Sequence, residues 1–274
     1  GRRIGLVTVD HGLQAGSADR AEAVAAWARS AGLDPVIVAP VTIDPADPAG
    51  PEAAARQARY AALLHHAHGY AAAAVLLGHS LDDQAETVLL ALARGSGPRG
   101  LSAMPARREE DGVAFLRPLL GVRRTVLREC CAALGLVPWD DPHNADDRYA
   151  RARVRADALP ALVTALGPGV PGNLAATAAL LALDTSYLDE QAALAYPGCV
   201  KDGMLDVAAV AALHPALRGR VLRAFALDLG APAAALGHRH VAALDALVTA
   251  WHGQGPTALP GGIDVRREDG LLRA

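Results

Sequence analysis

The chain has 274 residues, of which 52% are hydrophobic and 20% charged, and its formal net charge at pH 7 is −3. That length can bury a sizeable core and predicts two domains, while the weak negative charge argues against a nonspecific nucleic-acid coat. The longest unbroken apolar run, Tyr70–Leu77, is far shorter than the ~18 residues of a membrane span, so we expect no transmembrane helix.

The first part of the chain alternates strand-like and helix-like segments. The pattern predicts strands and helices, in turn, over Ile4–Val9, Ala18–Ala31, Pro35–Val41, Glu52–His68, Ala73–Leu77 and Leu81–Ala93. This rhythm favours a parallel sheet covered by helices on both faces. Ligands of such sheets lie beyond the carboxyl ends of the strands, where two unusual polar segments of this chain fall.

After about Arg155 the pattern changes to Ala- and Leu-rich helices. We expect helices over Ala156–Leu166, Leu174–Ala195, His214–Leu229 and His238–Trp251. A turn is predicted at Gly167–Gly172, and Pro256–Leu272 is typical of a small hairpin.

The cysteines are Cys130, Cys131 and Cys199, an odd set without a CxxC pair. They favour a reducing, cytoplasmic setting. No signal peptide is expected, and because the sequence opens with Gly1 we expect the natural chain to begin further upstream.

An acidic segment, GHSLDDQAET at Gly78–Thr87, follows the third strand. Asp82 and Glu86 lie one helical turn apart, and His79 precedes Asp82 by a similar distance. Acids in a first turn also cap a helix and interact with its dipole, so each acid alone has a structural explanation. Together, the carboxylates would repel one another without a cation, which favours a magnesium-nucleotide or ammonium site.

Three shorter segments also carry candidate chemistry. Arg94 and Arg99 flank glycines in a loop suited to phosphates, although Gly95 also suits a helix terminus. Asp10-His11-Gly12 closes the first strand, where a plain turn is the alternative. The polar turn from Asp141 leads into a basic segment that suits phosphate oxygens or a solvated face, with arginines at Arg151, Arg153 and Arg155.

These segments occur in one order: VDHGL at Val9–Leu13, PEAAARQARY at Pro51–Tyr60, LGHSLDDQAETVLLALARGSGPRGL at Leu77–Leu101, RPLL at Arg117–Leu120 and DPHNADDRYARARVR at Asp141–Arg155. In this order they resemble the tRNA(Ile)-lysidine synthetase family. The LGH, DDQAET and RGSG elements are the specific part. The ending, from HPALRGRVLRAF to WHGQGPTALPGG, resembles the substrate-binding domain of the family's short form.

The resemblance implies an α/β fold, with a Rossmann-like PP-loop ATP pyrophosphatase domain over residues 1–160. A mainly helical substrate-binding domain with a small terminal hairpin would follow over residues 161–274. It also implies a ligase that uses ATP and Mg²⁺. ATP adenylates the wobble cytidine of tRNA(Ile), releasing pyrophosphate, and the ε-amine of free L-lysine then displaces AMP to give lysidine. No membrane partner is expected, and a homodimer is left open.

The resemblance also implies residue roles. The implied catalytic residues are His79, Asp82, Asp83 and Glu86, with Asp82 and Asp83 as magnesium ligands or as contacts of the lysine ammonium. The implied ATP-binding residues are Asp10, His11, Gly12, Arg94 and Arg99. The implied tRNA contacts are Arg117, Arg151, Arg153 and Arg155. Supporting roles are implied for Glu52, Arg56, Arg59 and Thr87.

Some features depart from the family pattern. The family's SGG-x-DS phosphate loop is not in this sequence and is expected upstream of Gly1. Gln14 replaces a basic residue, and the RNR-x-R pattern has Ala152 in place of asparagine. A related tRNA thiolase would need paired functional cysteines, and a binding-only protein would lack the phosphate loop. A metal-dependent phosphohydrolase with ligands at His79, Asp82, Asp83 and Glu86 would need further His or Asp ligands from other strands, for which only Asp10 and His11 are obvious candidates.

Overall fold

A computed structural model describes residues 3–12, 16–43, 50–141, 146–233 and 235–274. The chain forms two compact units that alternate along the sequence. Unit 1 comprises Gly1–Ser80 and Pro105–Val122, and unit 2 comprises Leu81–Met104 and Arg123–Ala274. These units follow packing, whereas the predicted boundary near residue 160 divides the chain by function and stays a prediction.

Unit 1 begins with a pair of parallel strands and a helix whose buried face consists of small residues. Strand β1 (Leu6–Asp10) pairs in parallel with β2 (Val36–Pro40), and α1 (Ser17–Ser30) connects them. The buried residues of α1 are Ala21, Ala25 and Ala28. Their i, i+4 and i+7 spacing gives α1 a narrow face of small side chains that packs on the strands.

A second sheet in unit 1 shares its core with the first. Helix α2 (Pro51–Gly69) packs on β1, on β3 (Ala74–Leu76) and on β5 (Val113–Leu116). Strand β5 is parallel to β3 and antiparallel to β4 (Arg107–Glu110). Tyr60, Leu63 and Phe115 form the centre of the shared core, and burial of such side chains contributes about 1.5–3 kcal/mol each.

Unit 2 is mainly helical and is organised around a long helix. Its helices are α3 (Leu81–Ala93), α4 (Pro98–Leu101), α5 (Arg124–Ala133), α6 (Ala150–Arg153), α7 (Leu159–Leu166), α8 (Val170–Ala195), α9 (Val207–Ala211), α10 (Pro215–Asp228) and α11 (His238–Thr249). Helices α3, α4, α7 and α10 all pack on α8. A π-helical turn, Val154–Ala158, joins α6 to α7.

The last part of unit 2 is a five-stranded antiparallel sheet. Its strands are β6 (Val200–Lys201), β7 (Met204–Asp206), β8 (Thr257–Leu259), β9 (Ile263–Glu268) and β10 (Leu271–Arg273), in the spatial order β6-β7-β10-β9-β8. Leu205, Val265 and Leu272 project from it into one core with Phe225 of α10 and Leu244 of α11. The predicted hairpin is therefore confirmed as part of a larger sheet.

The α/β fold class predicted from the sequence is confirmed, with local differences. Helix α8 begins at Val170, inside the predicted turn, because Pro171 is tolerated in a first helical turn. Within α3, Leu92 is 52% exposed, and the apolar residues that the helix buries are Ala85, Val88 and Ala91. Strand β4 was not predicted, since Arg107–Glu110 carries no apolar alternation, and the short apolar strand β5 was not predicted either.

Within the described ranges, no single helix has both the length and the hydropathy of a membrane span. Two consecutive segments, Ala150–Leu166 and Val170–Cys199, meet the length and hydropathy criteria only when they are taken together, and the chain bends by 99° between them.

Candidate functional site

The acidic residues of the GHSLDDQAET segment lie at the start of α3, in unit 2. Asp82 and Asp83 are in the first turn of the helix, where its dipole favours negative charge, and Glu86 is one turn further on. Glu86 is fully buried, and Asp82 is 8% exposed. A carboxylate buried to this degree requires compensating partners.

The partners of Glu86 are two arginines distant in sequence. Arg155 places Nε 2.8 Å from Oε1 and Nη2 3.0 Å from Oε2, so the two side chains form a double hydrogen bond. Nη2 of Arg124 lies 3.0 Å from Oε1 of the same carboxylate. The hydrogen bond to Glu86 is the main cause that raises the pKa of Arg155.

The same arginines also contact the two aspartates. Oδ1 of Asp83 accepts from Nη2 of Arg124 at 2.9 Å and from Nη2 of Arg155 at 3.3 Å. Oδ2 of Asp82 accepts from the main-chain N–H of Arg124 at 2.7 Å. Oδ1 of Asp82 lies 3.2 Å from Nε of Arg123, which is an ion-pair distance without hydrogen-bond geometry.

We call this set of six side chains the acid–arginine cluster; its members are Asp82, Asp83, Glu86, Arg123, Arg124 and Arg155. Its three carboxylates face three guanidinium groups, so the repulsion that the sequence predicted is offset by arginine. Arg123 and Arg124 are site residues that were not predicted from the sequence. Their contacts with α3 join residues about 40 positions apart.

The basic segment next to this cluster contains half-buried and exposed arginines. Arg151 is half-buried, and its Nη2 donates to Oγ1 of Thr87 at 3.3 Å. Thr87 in turn donates to the carbonyl oxygen of Asp83 at 2.7 Å. Arg153 is exposed, and its Nη1 contacts the carbonyl oxygens of Asp147 and Arg148 at 2.5 and 3.1 Å. Residues 142–145 of the preceding polar turn lie outside the described residues.

The loop after α3 is connected to α8 through Arg99. Gly95 ends α3 with a φ of +65°, a conformation that glycine adopts without strain, and Arg94 beside it is exposed. Nη2 of Arg99 lies 2.7 Å from Oδ1 of Asp189 on α8. The same oxygen accepts from Nε of Arg220 on α10 at 2.9 Å, so Asp189 joins the loop to two helices.

The remaining predicted ATP-binding residues lie in unit 1. Asp10 ends β1, and its Oδ1 accepts from the main-chain N–H of Gly12, whose φ is +64°. The pKa of Asp10 is lowered mainly by a hydrogen bond from the side chain of Ser17, and to a smaller extent by the hydrogen bond from Gly12. These contacts describe a turn that presents His11 after the strand. His79 also belongs to unit 1, is half-buried and follows β3.

Arg117, predicted to contact tRNA, is 3% exposed in the core of unit 1. Its Nη1 donates to the carbonyl oxygen of Pro105 at 2.7 Å, and its Nη2 to the hydroxyl of Tyr60 at 3.1 Å. The guanidinium of Arg56 lies 4.8 Å from the ring centroid of the same tyrosine, while Arg59 is exposed. These contacts give Arg117 a structural role. The side chain of Glu52 lies outside the described part of the chain.

Across the described residues, no group of three His, Cys, Asp or Glu side chains is arranged to hold a metal ion. Mg²⁺ prefers carboxylate oxygens and keeps several waters, so it needs only one or two protein ligands. The carboxylates of Asp82 and Asp83 keep 11% and 17% of their side-chain surface and suit it in donor type, whereas Glu86 is enclosed by guanidinium groups. Cys130 and Cys131 are adjacent on α5, and both are free thiols.

Comparison with known proteins adds relatives that match most or all of the chain. The tRNA(Ile)-lysidine synthase of Salinispora tropica is 64% identical over 275 residues, which cover 100% of this chain and 82% of the relative. Those of Salinispora arenicola and Thermobifida fusca are 60% and 53% identical over 273 residues, covering 99% of this chain and 82% of each relative.

A solved structure of a U34-tRNA thiolase, NcsA from Methanococcus maripaludis with its [4Fe-4S] cluster, is similar in fold alone. Its TM-score is 0.50 at 16% identity, over 65% of this chain and 61% of that chain. Family models match at two places: the PP-loop domain over residues 2–162 and the TilS substrate binding domain over residues 205–273. With its full length matched at up to 64% identity, the chain belongs to the tRNA(Ile)-lysidine synthase family.

Proposed function

We propose that this chain is the ligase that attaches lysine to the wobble cytidine of tRNA(Ile) at the expense of ATP. The observation that carries the proposal is the full-length match to tRNA(Ile)-lysidine synthases. In the first step the cytidine carbonyl oxygen attacks the α-phosphate of ATP and pyrophosphate leaves. In the second step the ε-amine of lysine forms the new C–N bond, the C–O bond to AMP breaks, and the amine loses its proton.

Asp82 and Asp83 are proposed to hold the cation of this reaction, either Mg²⁺ or the lysine ammonium. Their carboxylates retain surface that Glu86 lacks, and they lie in the first turn of α3. Mg²⁺ at these residues would neutralise the charge of the polyphosphate. Glu86 would then act as a buried anchor for Arg124 and Arg155, and His79 would help position the reacting groups.

The proposed ATP contacts are two sets of residues. Asp10, His11 and Gly12 would line the adenine side, and Arg94 and Arg99 would contact phosphate oxygens. Arg94 is exposed, and its guanidinium suits phosphate oxygens. Arg99 would have to exchange Asp189 for the phosphate, which is feasible because its side chain is 60% exposed.

Arg151, Arg153 and Arg155 are the proposed tRNA contacts. Arg153 has the strongest structural support, since it is exposed and bonded only to carbonyl oxygens in the hydrogen bonds seen here. Besides contacting tRNA, Arg151 and Arg155 would hold this segment against α3 through Thr87 and Glu86. A cytoplasmic location and a homodimeric assembly are also proposed, to be checked by cell fractionation and by light scattering.

Lysine incorporation into tRNA(Ile) by the full-length protein tests the function. Asp82→Asn should abolish incorporation and leave folding intact, because asparagine still accepts the hydrogen bond from Arg124 but lacks the charge. Asp202→Asn is the matched control, since Asp202 is exposed at a positive φ of 50° that asparagine tolerates. A wild-type protein that incorporates no lysine would refute the function, and full turnover by Asp82→Asn would refute the role of Asp82.

A further inference from the structure

Arg124 contacts every carboxylate of the acid–arginine cluster. Its main-chain N–H donates to Asp82 at 2.7 Å, and its Nη2 lies 2.9 Å from Asp83 and 3.0 Å from Glu86. It is also the first residue of α5, so one residue connects the beginnings of two helices. Replacing its side chain would therefore remove the hydrogen bonds to Asp83 and Glu86 and leave the main-chain hydrogen bond to Asp82.

The main-chain contact fixes Asp82 through the geometry of α5. The first N–H groups of a helix have no partner within the helix and need an acceptor. Arg123 occupies the N-cap position of α5, and its side chain has no acceptor and makes no capping bond. Asp82 supplies that acceptor from α3, and its negative charge also suits the dipole of α5. The orientation of Asp82 thus depends on where α5 begins.

The guanidinium contacts fix the other two acids. A planar guanidinium can donate to two carboxylates at once, whereas an ammonium acts as a point charge. Nη2 of Arg124 is within 3.0 Å of oxygens of both Asp83 and Glu86, and the Glu86 side chain is fully buried. Glu86 therefore holds Arg124 in place, and Arg124 holds Asp83.

We infer that Arg124 is a positioning residue that orients Asp82 and Asp83 for a cationic ligand, an inference that rests on the proposed function. The shared chemistry of that ligand is positive charge, carried by Mg²⁺ or by the lysine ammonium. Arg124 acts through the two aspartates and does not itself touch the substrate. Its loss should weaken cation binding more than binding of the tRNA.

Steady-state kinetics of the full-length protein can test this role with Arg124→Gln and Arg124→Lys. Arg124→Gln should raise the KM for lysine or the half-saturating Mg²⁺ concentration by about tenfold, which corresponds to about 1.4 kcal/mol. The KM for tRNA should stay within about twofold of wild type, a change of less than about 0.5 kcal/mol. Arg124→Lys should recover part of the loss, because lysine keeps a positive charge beside Asp83 and Glu86.

Arg128→Gln is the matched control, since Arg128 lies one turn further along α5 and pairs with Asp140 at the exposed surface. A thermal-shift titration with L-lysine, and another with MgCl₂, provide a readout that does not depend on turnover. A selective change in the lysine titration assigns the aspartates to the ammonium, and one in the MgCl₂ titration assigns them to the metal.

Two results would overturn the positioning role. One is wild-type lysine and Mg²⁺ dependence in Arg124→Gln. The other is an equal loss for lysine, Mg²⁺ and tRNA together with a lower melting temperature, which a purely structural role predicts. If Arg124→Gln does not fold, Arg124→Lys carries the same test through its partial loss. If the wild-type protein ligates no lysine, the proposed function fails, which is a separate outcome from failure of the Arg124 variants alone.

Discussion

Arg155 and Glu86 form a double hydrogen bond, with Nε and Nη2 of the arginine 2.8 and 3.0 Å from the two carboxylate oxygens. The carboxylate is fully buried, and the residues are separated by 69 positions in the sequence. Such a pair fixes geometry as much as it adds stability, because the Glu86 carboxylate had to leave water entirely and the Arg155 guanidinium in part. In this chain it attaches the segment after α6 to the start of α3.

Arg155→Ala should destabilise the fold because Glu86 would lose one of its two guanidinium partners. Breaking a buried ion pair costs about 3–5 kcal/mol, and the loss here should be somewhat smaller because Arg124 remains beside Glu86. The free energy of unfolding, measured by urea titration, checks this value. Arg148→Ala is the control, since its ion pair with Asp146 is at the surface and should leave the urea midpoint unchanged. Equal midpoints for wild type and Arg155→Ala would contradict the anchoring role.

Arg117→Met should also destabilise the fold, without weakening the electrostatic part of tRNA binding. Methionine fills similar space but cannot donate to Tyr60 or to the carbonyl oxygen of Pro105, at a cost of about 2–3 kcal/mol. Because Arg117 is buried, the slope of log Kd for tRNA against log salt concentration should stay at its wild-type value. Chemical denaturation and binding at several salt concentrations measure the two quantities.

Arg153→Gln, in contrast to Arg117→Met, should reduce the salt dependence of tRNA binding. Arg153 is exposed, and loss of one phosphate contact should lower the salt slope by about 1. Arg29→Gln serves as a control outside the proposed tRNA surface, because Arg29 pairs with Glu22 on α1. A reduced slope for Arg117→Met would indicate that Arg117 contacts a phosphate. An unchanged slope for Arg153→Gln would indicate that Arg153 does not.

Local sequence patterns predicted most of the fold. Helix α3 has the predicted bounds because its acids, its length and its apolar residues all favour a helix. Strands β1 and β2 were predicted because β-branched runs favour strands, and β3 because a short apolar run between turns suits a buried strand. Strand β4 was missed because its four residues are charged, and its position depends on pairing with β5.

The acidic half of the candidate site was also predictable, and its basic half was not. Asp82, Asp83 and Glu86 are close in sequence, so their shared face follows from helical geometry. Arg124 and Arg155 reach the same face from residues about 40 and 70 positions away, through packing that periodicity does not encode. The burial of Arg117 likewise depends on tertiary contacts with Tyr60 and Pro105.

Asp206 provides a prediction for pH dependence in the C-terminal sheet. It precedes α9, and its Oδ1 accepts from the main-chain N–H groups of Ala208 and Ala209 at 2.8 and 3.1 Å. A hydrogen bond from Lys201 and these helix N–H groups lower its pKa from the ordinary value of 3.8. A carboxylate with a lowered pKa in the folded state stabilises the fold above its unfolded pKa, and this contribution disappears as the pH falls through the folded value.

Asp206→Ala should therefore be less stable than wild type near neutral pH, and the difference should shrink below about pH 4. Urea titrations across that range measure it, with Asp264→Ala, at an exposed position on β9, as the control. A difference that stays constant to low pH would mean that Asp206 stabilises the sheet without its charge.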